Sequence, residues 1–168
     1  MGAPDFFRNV TGLNQINYRV DPNTFTMGGL GYGSYNAPRG IPQGLTKSQF
    51  DEAGSLIRSK TGHLGDDIVV QGSRAGGTAK ATSDIDIGVR VSPDEFDGLV
   101  KARFGTPNPG SAKERTMLHA IQTGKIQAGE AGLRGLRREL QGKLGMDVDL
   151  SVIRRGGPFD QPPTIPVP

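Results

Sequence analysis

The chain has 168 residues, which is long enough for one domain of ordinary size with its own hydrophobic core. It contains no cysteine, so disulfides, thiolate metal sites and a cysteine nucleophile are excluded, and the composition fits work in a reducing cytosol. No apolar run approaches about 18 residues, and no basic start precedes an apolar stretch, so the sequence predicts neither a membrane partner nor a signal peptide.

Charge is distributed unevenly along the chain. Residues 1–100 hold 9 Lys and Arg against 11 Asp and Glu, a net charge of −2. Residues 101–155 hold 11 against 5, a net charge of +6. A solvated helical surface explains this excess, and so does a basic face for a phosphate-bearing partner such as a nucleotide or RNA.

The first 43 residues are the least periodic part of the sequence. They are rich in Gly, Asn, Pro and Tyr and contain the cluster MGGLGYGSYNAPRG, so residues 1–43 are predicted to be an irregular linker or junction segment. The stretch GLGYGS within it follows no apolar strand and lacks the spacing of a dinucleotide-binding loop, so it predicts a plain loop.

The predicted domain covers residues 44–156. A helix begins at Thr46, where Thr46 and Gln49 form a capping box, with acids at positions 51 and 52 assigned to its first turn. That helix ends near Gly62. The β-branched run 68–70 predicts a short buried strand, and the strict alternation over 85–91 predicts a second strand.

The second half of the domain is mainly helical. Ser92 and Pro93 begin one helix, and Ser111 begins another that runs to about residue 123 with an apolar stripe. A basic helix is predicted over 129–144 and a third strand over 146–153, while the Pro-rich tail 157–168 is predicted to be irregular or extended. The order of elements predicts an α+β, two-layer α/β domain with a small mixed sheet and helices packed on one side. The predicted stripe comprises Met117, Leu118 and Ile121.

Two pairs of aspartates lie at alternate positions on predicted strands. Asp84 and Asp86 leave the same face of the second strand, and Asp147 and Asp149 do so on the third. Neighbouring carboxylates repel one another unless a cation neutralises them, and their oxygens suit Mg²⁺ or Mn²⁺. If the two strands are adjacent, the sequence predicts a site for one or two metal ions.

A glycine-rich turn follows the first predicted strand. Gly72 and Ser73 would expose backbone N–H groups and a hydroxyl to a phosphate. Arg74 and Lys80 are either phosphate ligands or solvated loop residues. Ser83 is either a turn cap or a further nucleotide ligand.

Residues 72–87, GSRAGGTAKATSDIDI, resemble the signature of the DNA polymerase β-like nucleotidyltransferase superfamily in its minimal bacterial form. The resemblance implies that Gly72 and Ser73 contact a nucleoside triphosphate. It also implies that Asp84 and Asp86 bind the metal ions, and that a carboxylate on a later strand acts toward the acceptor hydroxyl. Asp149 is the choice for that third carboxylate and Asp147 the reserve. Gly77 departs from the Arg-Gly that minimal members often carry at this point, which puts the nucleotide grip in question.

The resemblance implies an enzyme that transfers a nucleoside monophosphate from a nucleoside triphosphate, such as ATP, to an acceptor. The acceptor is an RNA or tRNA end or a protein side chain. A small-molecule nucleotidyltransferase of the antibiotic type and an inactive binding module with the same fold are the alternatives.

The wider layout also resembles the C-terminal toxin modules of secreted polymorphic toxins, in which a Gly- and Pro-rich junction precedes a small enzymatic domain. This resemblance implies delivery by a larger parent protein, action in the cytoplasm of a target cell, and a cognate immunity protein as partner. Without it, a cytoplasmic location is expected.

Overall fold

The structure is a computed structural model and describes residues 40–168. The predicted features of residues 1–39, the GLGYGS loop among them, lie outside the described residues. Within residues 40–168 there are six helices and five strands, in the chain order α1 (Lys47–Thr61), β1 (Ile68–Gln71), α2 (Gly72–Gly76), β2 (Ile85–Val91), α3 (Pro93–Phe104), α4 (Ala112–Thr123), β3 (Lys125–Gln127), α5 (Ala128–Ala131), α6 (Arg134–Leu144), β4 (Val148–Arg154) and β5 (Thr164–Pro166).

The five strands form one mixed sheet in the order β3-β4-β2-β1-β5. The two central strands, β2 and β4, run parallel, and the other pairings are antiparallel. The long helical connection between β2 and β4 is what a parallel pair requires. The predicted α+β fold with a small mixed sheet is therefore confirmed.

One face of the sheet carries the hydrophobic core. Alternate residues of β2 and β4 point into it, among them Ile87 and Leu150, which are 2% and 0% exposed. Leu140 of α6 and Phe96 of α3 pack against them and are also buried. The same alternation sends Asp86 and Asp149 to the opposite face, which leaves that face available for a polar site.

Local signals fixed several element ends as predicted. Thr46 caps α1, and the reciprocal contacts with Gln49 form the capping box. Ser92 caps α3, with Pro93 as its first residue. The acids at positions 51 and 52 lie beyond the first turn of α1, because the helix begins at Lys47.

Two helix predictions are corrected. The single basic helix over 129–144 is divided into α5 and α6, because Gly132 adopts a left-handed conformation with φ of 77° and ends α5. The stripe predicted for α4 is wrong at two of its three positions, since Leu118 and Ile121 are 50% and 46% exposed and Ala120 is the buried residue of this helix, while Met117 packs against the core as predicted. The helix lies at the outside of the domain.

Short segments at both edges of the sheet escape the sequence analysis. Strand β3 has only three residues. The C-terminal tail, predicted to be irregular or extended, contributes β5, which pairs with β1. At the other end Ile41 already joins the core. The division into 1–43, 44–156 and 157–168 stays a prediction. No helix within residues 40–168 is long and apolar enough to cross a membrane.

Candidate active site

Three chain segments that carry the predicted site residues meet at one end of the central strands of the sheet. The antiparallel pairing of β1 with β2 places Gln71, the residue before Gly72, opposite Asp86. The parallel pairing of β2 with β4 places Asp149 opposite Asp86 on the other side. The sheet topology therefore brings the glycine turn and both aspartate-bearing strands together, although Asp86 and Asp149 are far apart in sequence.

Asp86 is the central carboxylate of this site and is half-buried. Loss of hydration on burial raises its pKa to about 6, and the nearby carboxylates of Asp84 and Asp149 add to this rise. The ammonium group of Lys125 acts in the opposite direction. Asp84 is exposed at the mouth of the site. The carboxylates thus interact as one group with an excess of negative charge.

Lys125 is a site residue that the sequence analysis missed. Its Nζ atom lies 2.8 Å from Oδ2 of Asp149, and both side chains are largely shielded from solvent. The same Nζ lies 4.1 Å from the centre of the Phe159 ring, a cation–π contact. The only sequence signal is the short alternation of Lys125, Ile126 and Gln127 after Gly124, which is too brief to predict a strand.

The carboxylate oxygens at this end of the central strands are suitable ligands for a divalent cation. Among residues 40–168, no three acidic or histidine side chains are drawn together into a complete metal centre. The carboxylates of Asp84, Asp86 and Asp149 are nevertheless close enough to affect the ionisation of Asp86. Hard oxygen donors with uncompensated negative charge suit Mg²⁺ or Mn²⁺, and the Lys125 ammonium already neutralises part of the charge at Asp149.

Gly72 makes the closest approach to the carboxylates. Its φ is +73°, and a Cβ atom at this position would lie 2.6 Å from Oδ2 of Asp86. Glycine is therefore required both by the backbone conformation and by the space that Asp86 occupies. Ser73 follows at the start of α2 and is half-buried. The turn and the aspartates form one contiguous surface.

Arg74 does not have the environment of a phosphate ligand. Its side chain is buried, 5% exposed, and its guanidinium donates to the carbonyl oxygens of Gln43, Ser83 and Asp84. These contacts tie α2 to the loop that precedes Asp84. We therefore revise the assignment of Arg74 from nucleotide binding to holding the loop in place.

An Arg74→Lys variant should lower the free energy of unfolding by about 2–3 kcal/mol, because one ammonium group cannot replace a planar guanidinium that serves several carbonyl groups. Urea unfolding measures this loss. Arg138→Lys, at an exposed position on α6, is the control and should be neutral. Unchanged stability of Arg74→Lys together with a raised KM for the nucleotide would restore the ligand assignment.

The two remaining loop residues differ in their surroundings. The hydroxyl of Ser83 accepts a hydrogen bond of 3.0 Å from the Lys80 backbone N–H, so it closes the turn over residues 80–83. This contact favours the turn cap over the nucleotide ligand for Ser83. The Lys80 side chain is exposed and forms no ion pair with the residues that the structure describes.

Asp147 differs from Asp149 in its surroundings. Its side chain is exposed and lines a separate cavity of about 460 Å³ with Ser83 and Gln141. Its backbone carbonyl accepts a hydrogen bond of 2.9 Å from the N–H of Ile85. Asp147 does not contribute to the pKa of Asp86, whereas Asp149 does. The structure thus favours Asp149 over Asp147 as the third carboxylate.

The segment after β4 covers the rest of this sheet face. The Gln71 side-chain amide donates to the carbonyl oxygens of Phe159 and Gln161, at 3.0 and 3.3 Å. Farther along the face, Arg90 forms an ion pair of 3.1 Å with Asp160. The C-terminal segment therefore forms one wall of the site, and Phe159 brings an aromatic ring beside Lys125.

A glycine–serine turn beside three aspartates, two on neighbouring strands and one just before β2, is typical of a class of phosphate-transferring enzymes. The comparison with protein families agrees with this class, since a family model described as "Nucleotidyltransferase domain" matches residues 56–160. The chain belongs to this nucleotidyltransferase family, and it is a transferase. Neither the search of curated proteins nor that of solved structures gave a significant match.

Proposed function

We propose that the chain is a metal-dependent nucleotidyltransferase that moves a nucleoside monophosphate from a nucleoside triphosphate, such as ATP, to an acceptor hydroxyl. The observation that carries this proposal is the register of the sheet, which pairs Asp86 with Asp149 beside the turn at Gly72. A binding module with this fold but no enzymatic activity has no need for a group of carboxylates whose mutual repulsion destabilises the folded chain.

In this proposal Asp84, Asp86 and Asp149 would hold Mg²⁺ or Mn²⁺, and the ion would supply charge neutralisation at the phosphates and Lewis-acid activation of the attacking oxygen. Gly72 and Ser73 receive the β- and γ-phosphates through backbone N–H groups and the Ser73 hydroxyl. Lys80, exposed at the mouth of the loop, adds a positive charge toward the triphosphate. Catalysis then rests on positioning and charge neutralisation.

In the transfer step the acceptor oxygen forms a new bond to the α-phosphorus, and its proton passes to a carboxylate oxygen of Asp149. The bond between the α-phosphorus and the bridging oxygen to the β-phosphorus breaks, and that oxygen leaves with the bonding electrons as part of pyrophosphate. The 2.8 Å contact with Lys125 fixes the position of the Asp149 carboxylate beside Asp86.

The acceptor in this proposal is an RNA or tRNA end or a protein side chain, and the biological role is that of an antibacterial toxin domain. The resemblance of the chain's layout to toxin modules supports this role. It brings with it delivery by a larger protein, action in the target-cell cytoplasm and an immunity protein that covers the site.

A label-transfer assay tests the activity. The chain is incubated with Mg²⁺, total RNA or cell lysate, and each of the four nucleoside triphosphates labelled at the α-phosphate. We expect label to enter a macromolecule with wild-type protein, and at least about 10³-fold less with Asp84→Ala or Asp149→Ala. Asp147→Ala, exposed on the same approach to β4, is the matched control and should retain activity. Absence of label transfer, or equal transfer by wild-type protein and Asp84→Ala, would refute the proposed enzymatic activity.

Expression in bacteria tests the toxin role separately. Wild-type protein should arrest growth and Asp84→Ala should not. Equal growth with both proteins would refute the toxin role without contradicting the proposed enzymatic activity.

A further inference from the structure

A second polar cavity lies beyond Asp149, on the side of the sheet away from the glycine turn. It has a volume of about 410 Å³, within the roughly 300–1,000 Å³ of small-ligand sites. Its polar lining comes from α4, β3, α5 and α6, and consists of Thr116, Gln127, Glu130, Arg134 and Arg137.

Strand β3 connects this cavity to the carboxylates. Gln127 lines the cavity and pairs with Ser151 of β4, two residues along that strand from Asp149. Two strand residues span roughly 7 Å. Lys125, on the same face of β3, reaches Asp149 itself. The cavity therefore lies on the β3 side of Asp149, opposite the side where Gly72 and Ser73 lie, and a bound molecule would need to extend over about two strand positions to meet that carboxylate.

The arginines of the cavity are available to a ligand, which most arginines of the domain are not. Within residues 40–168, seven arginines donate hydrogen bonds or form ion pairs: Arg58, Arg74, Arg90, Arg103, Arg115, Arg154 and Arg155. The remaining three do neither within the described part of the chain, and all three lie on α6: Arg134, Arg137 and Arg138. Two of these three line the cavity.

The shape of α5 helps to place one of these groups. A Cβ atom at Gly129 would lie 2.7 Å from the Nη2 atom of Arg134, so the missing side chain leaves room for the guanidinium. Glu130 is the only acid in the lining, against Arg134 and Arg137. The lining therefore carries a net charge of +1 and presents planar donors that match the geometry of phosphate oxygens.

We propose that this cavity is the acceptor subsite and that it binds a backbone phosphate near the end of a single-stranded nucleic acid, whose terminal hydroxyl then reaches Asp149. This inference rests on the proposed nucleotidyl transfer and specifies its acceptor. A protein hydroxyl as acceptor brings no phosphate and leaves both guanidinium groups without a partner. RNA and DNA share the chemistry that the cavity recognises, so both are tested.

Binding is measured without nucleotide and without metal, by fluorescence anisotropy of labelled 12-residue RNA and DNA single strands over a series of salt concentrations. The double variant Arg134→Ala/Arg137→Ala should bind about tenfold more weakly at low salt. Because the two guanidinium groups neutralise one backbone phosphate, and each neutralised phosphate contributes about 0.7 to the slope of log affinity against log salt, the slope should fall by about 0.7. The variant Glu130→Gln should bind more tightly than wild type.

The matched control is Arg138→Ala/Lys143→Ala, which removes two charges from the same helix outside the cavity. It should keep the wild-type slope to within about 0.3. An equal loss of strand affinity in both double variants, or an unchanged affinity in Glu130→Gln, would contradict the proposed acceptor subsite. So would label transfer to a protein that survives the loss of Arg134 and Arg137. A wild-type protein that binds the strands through the cavity but transfers no label would sink the proposed function and leave the binding site standing.

Discussion

Replacement of Asp86 by asparagine should make the domain more stable at pH 7.5 and catalytically inactive. The carboxylate is half-buried between Asp84 and Asp149, and loss of hydration followed by these two charges raises its pKa to about 6. At pH 7.5 it is ionised in a setting that disfavours the charge. Asparagine keeps the size of the side chain and removes the charge, so we expect a gain of about 1 kcal/mol after allowing for screening by solvent.

The pH dependence of this gain in the free energy of unfolding follows from the raised pKa of Asp86 in the folded state. The folded state binds a proton at Asp86 more tightly than the unfolded chain does, because the pKa rises from 3.8 to about 6 on folding. This group therefore costs nothing below about pH 4, its cost grows between about pH 4 and pH 6, and the cost is constant at higher pH. The stability difference between Asp86→Asn and wild type should open across that window and stay constant above it. Urea unfolding at several pH values measures it.

The activity of Asp86→Asn should fall by at least about 10³-fold in the label-transfer assay, since the proposed metal site needs the charge and both oxygens of the Asp86 carboxylate. Mg²⁺ should raise the unfolding midpoint of wild-type protein and have little effect on the variant. Asp147→Asn is the control, because Asp147 is exposed and does not act on Asp86. A stability difference that does not change with pH would contradict the burial and charge argument.

The sequence predicts strand β2, which carries the centre of the candidate site, because its signals are local and regular. The alternation over 85–91 predicts both ends of β2, and the motif around Ser83 and Asp84 immediately precedes it. The pairing of Asp86 with Asp149 follows only if the two strands are neighbours, which a single sequence leaves open. The register of the sheet supplies that step.

Other parts of the site depend on contacts between distant segments and could not be predicted. Lys125 reaches Asp149 from a three-residue edge strand, and Phe159 arrives from a tail that reads as irregular. Arg74 looks like a phosphate ligand until its guanidinium is seen turned inward to three backbone carbonyls. Leu118 fits a buried stripe by spacing alone, yet α4 lies at the outside of the domain and exposes it.

Replacement of Gly72 by alanine should cost the domain more than any other single methyl group added at the site. The left-handed φ of +73° is unfavourable for a residue with a Cβ atom by about 1–2 kcal/mol. The added carbon would also lie 2.6 Å from Oδ2 of Asp86, so the carboxylate or the turn must move. We expect a total loss of about 2–4 kcal/mol in the free energy of unfolding.

Two further variants separate the backbone term from the contact. Gly110→Ala has a similar φ of +79° with open space around it, so it should lose only the backbone part. Asp86→Ala removes the oxygen that Gly72→Ala would strike. In the double variant Gly72→Ala/Asp86→Ala, the cost of the Gly72 change should fall to that of Gly110→Ala, which gives a coupling of about 1–2 kcal/mol. Additive losses would show that the turn and the carboxylate do not meet.

The same substitution should abolish nucleotidyl transfer even under conditions in which the protein remains folded. The turn at Gly72 and the carboxylate of Asp86 share one small space, so a carbon atom there displaces either the backbone proposed to bind phosphate or the proposed metal ligand. Loss of at least about 10²-fold in kcat with native circular dichroism is the expected result. Gly110→Ala should remain fully active. Because the glycine and the aspartate are constrained by each other, the turn and the carboxylates act as one device rather than as two adjacent motifs.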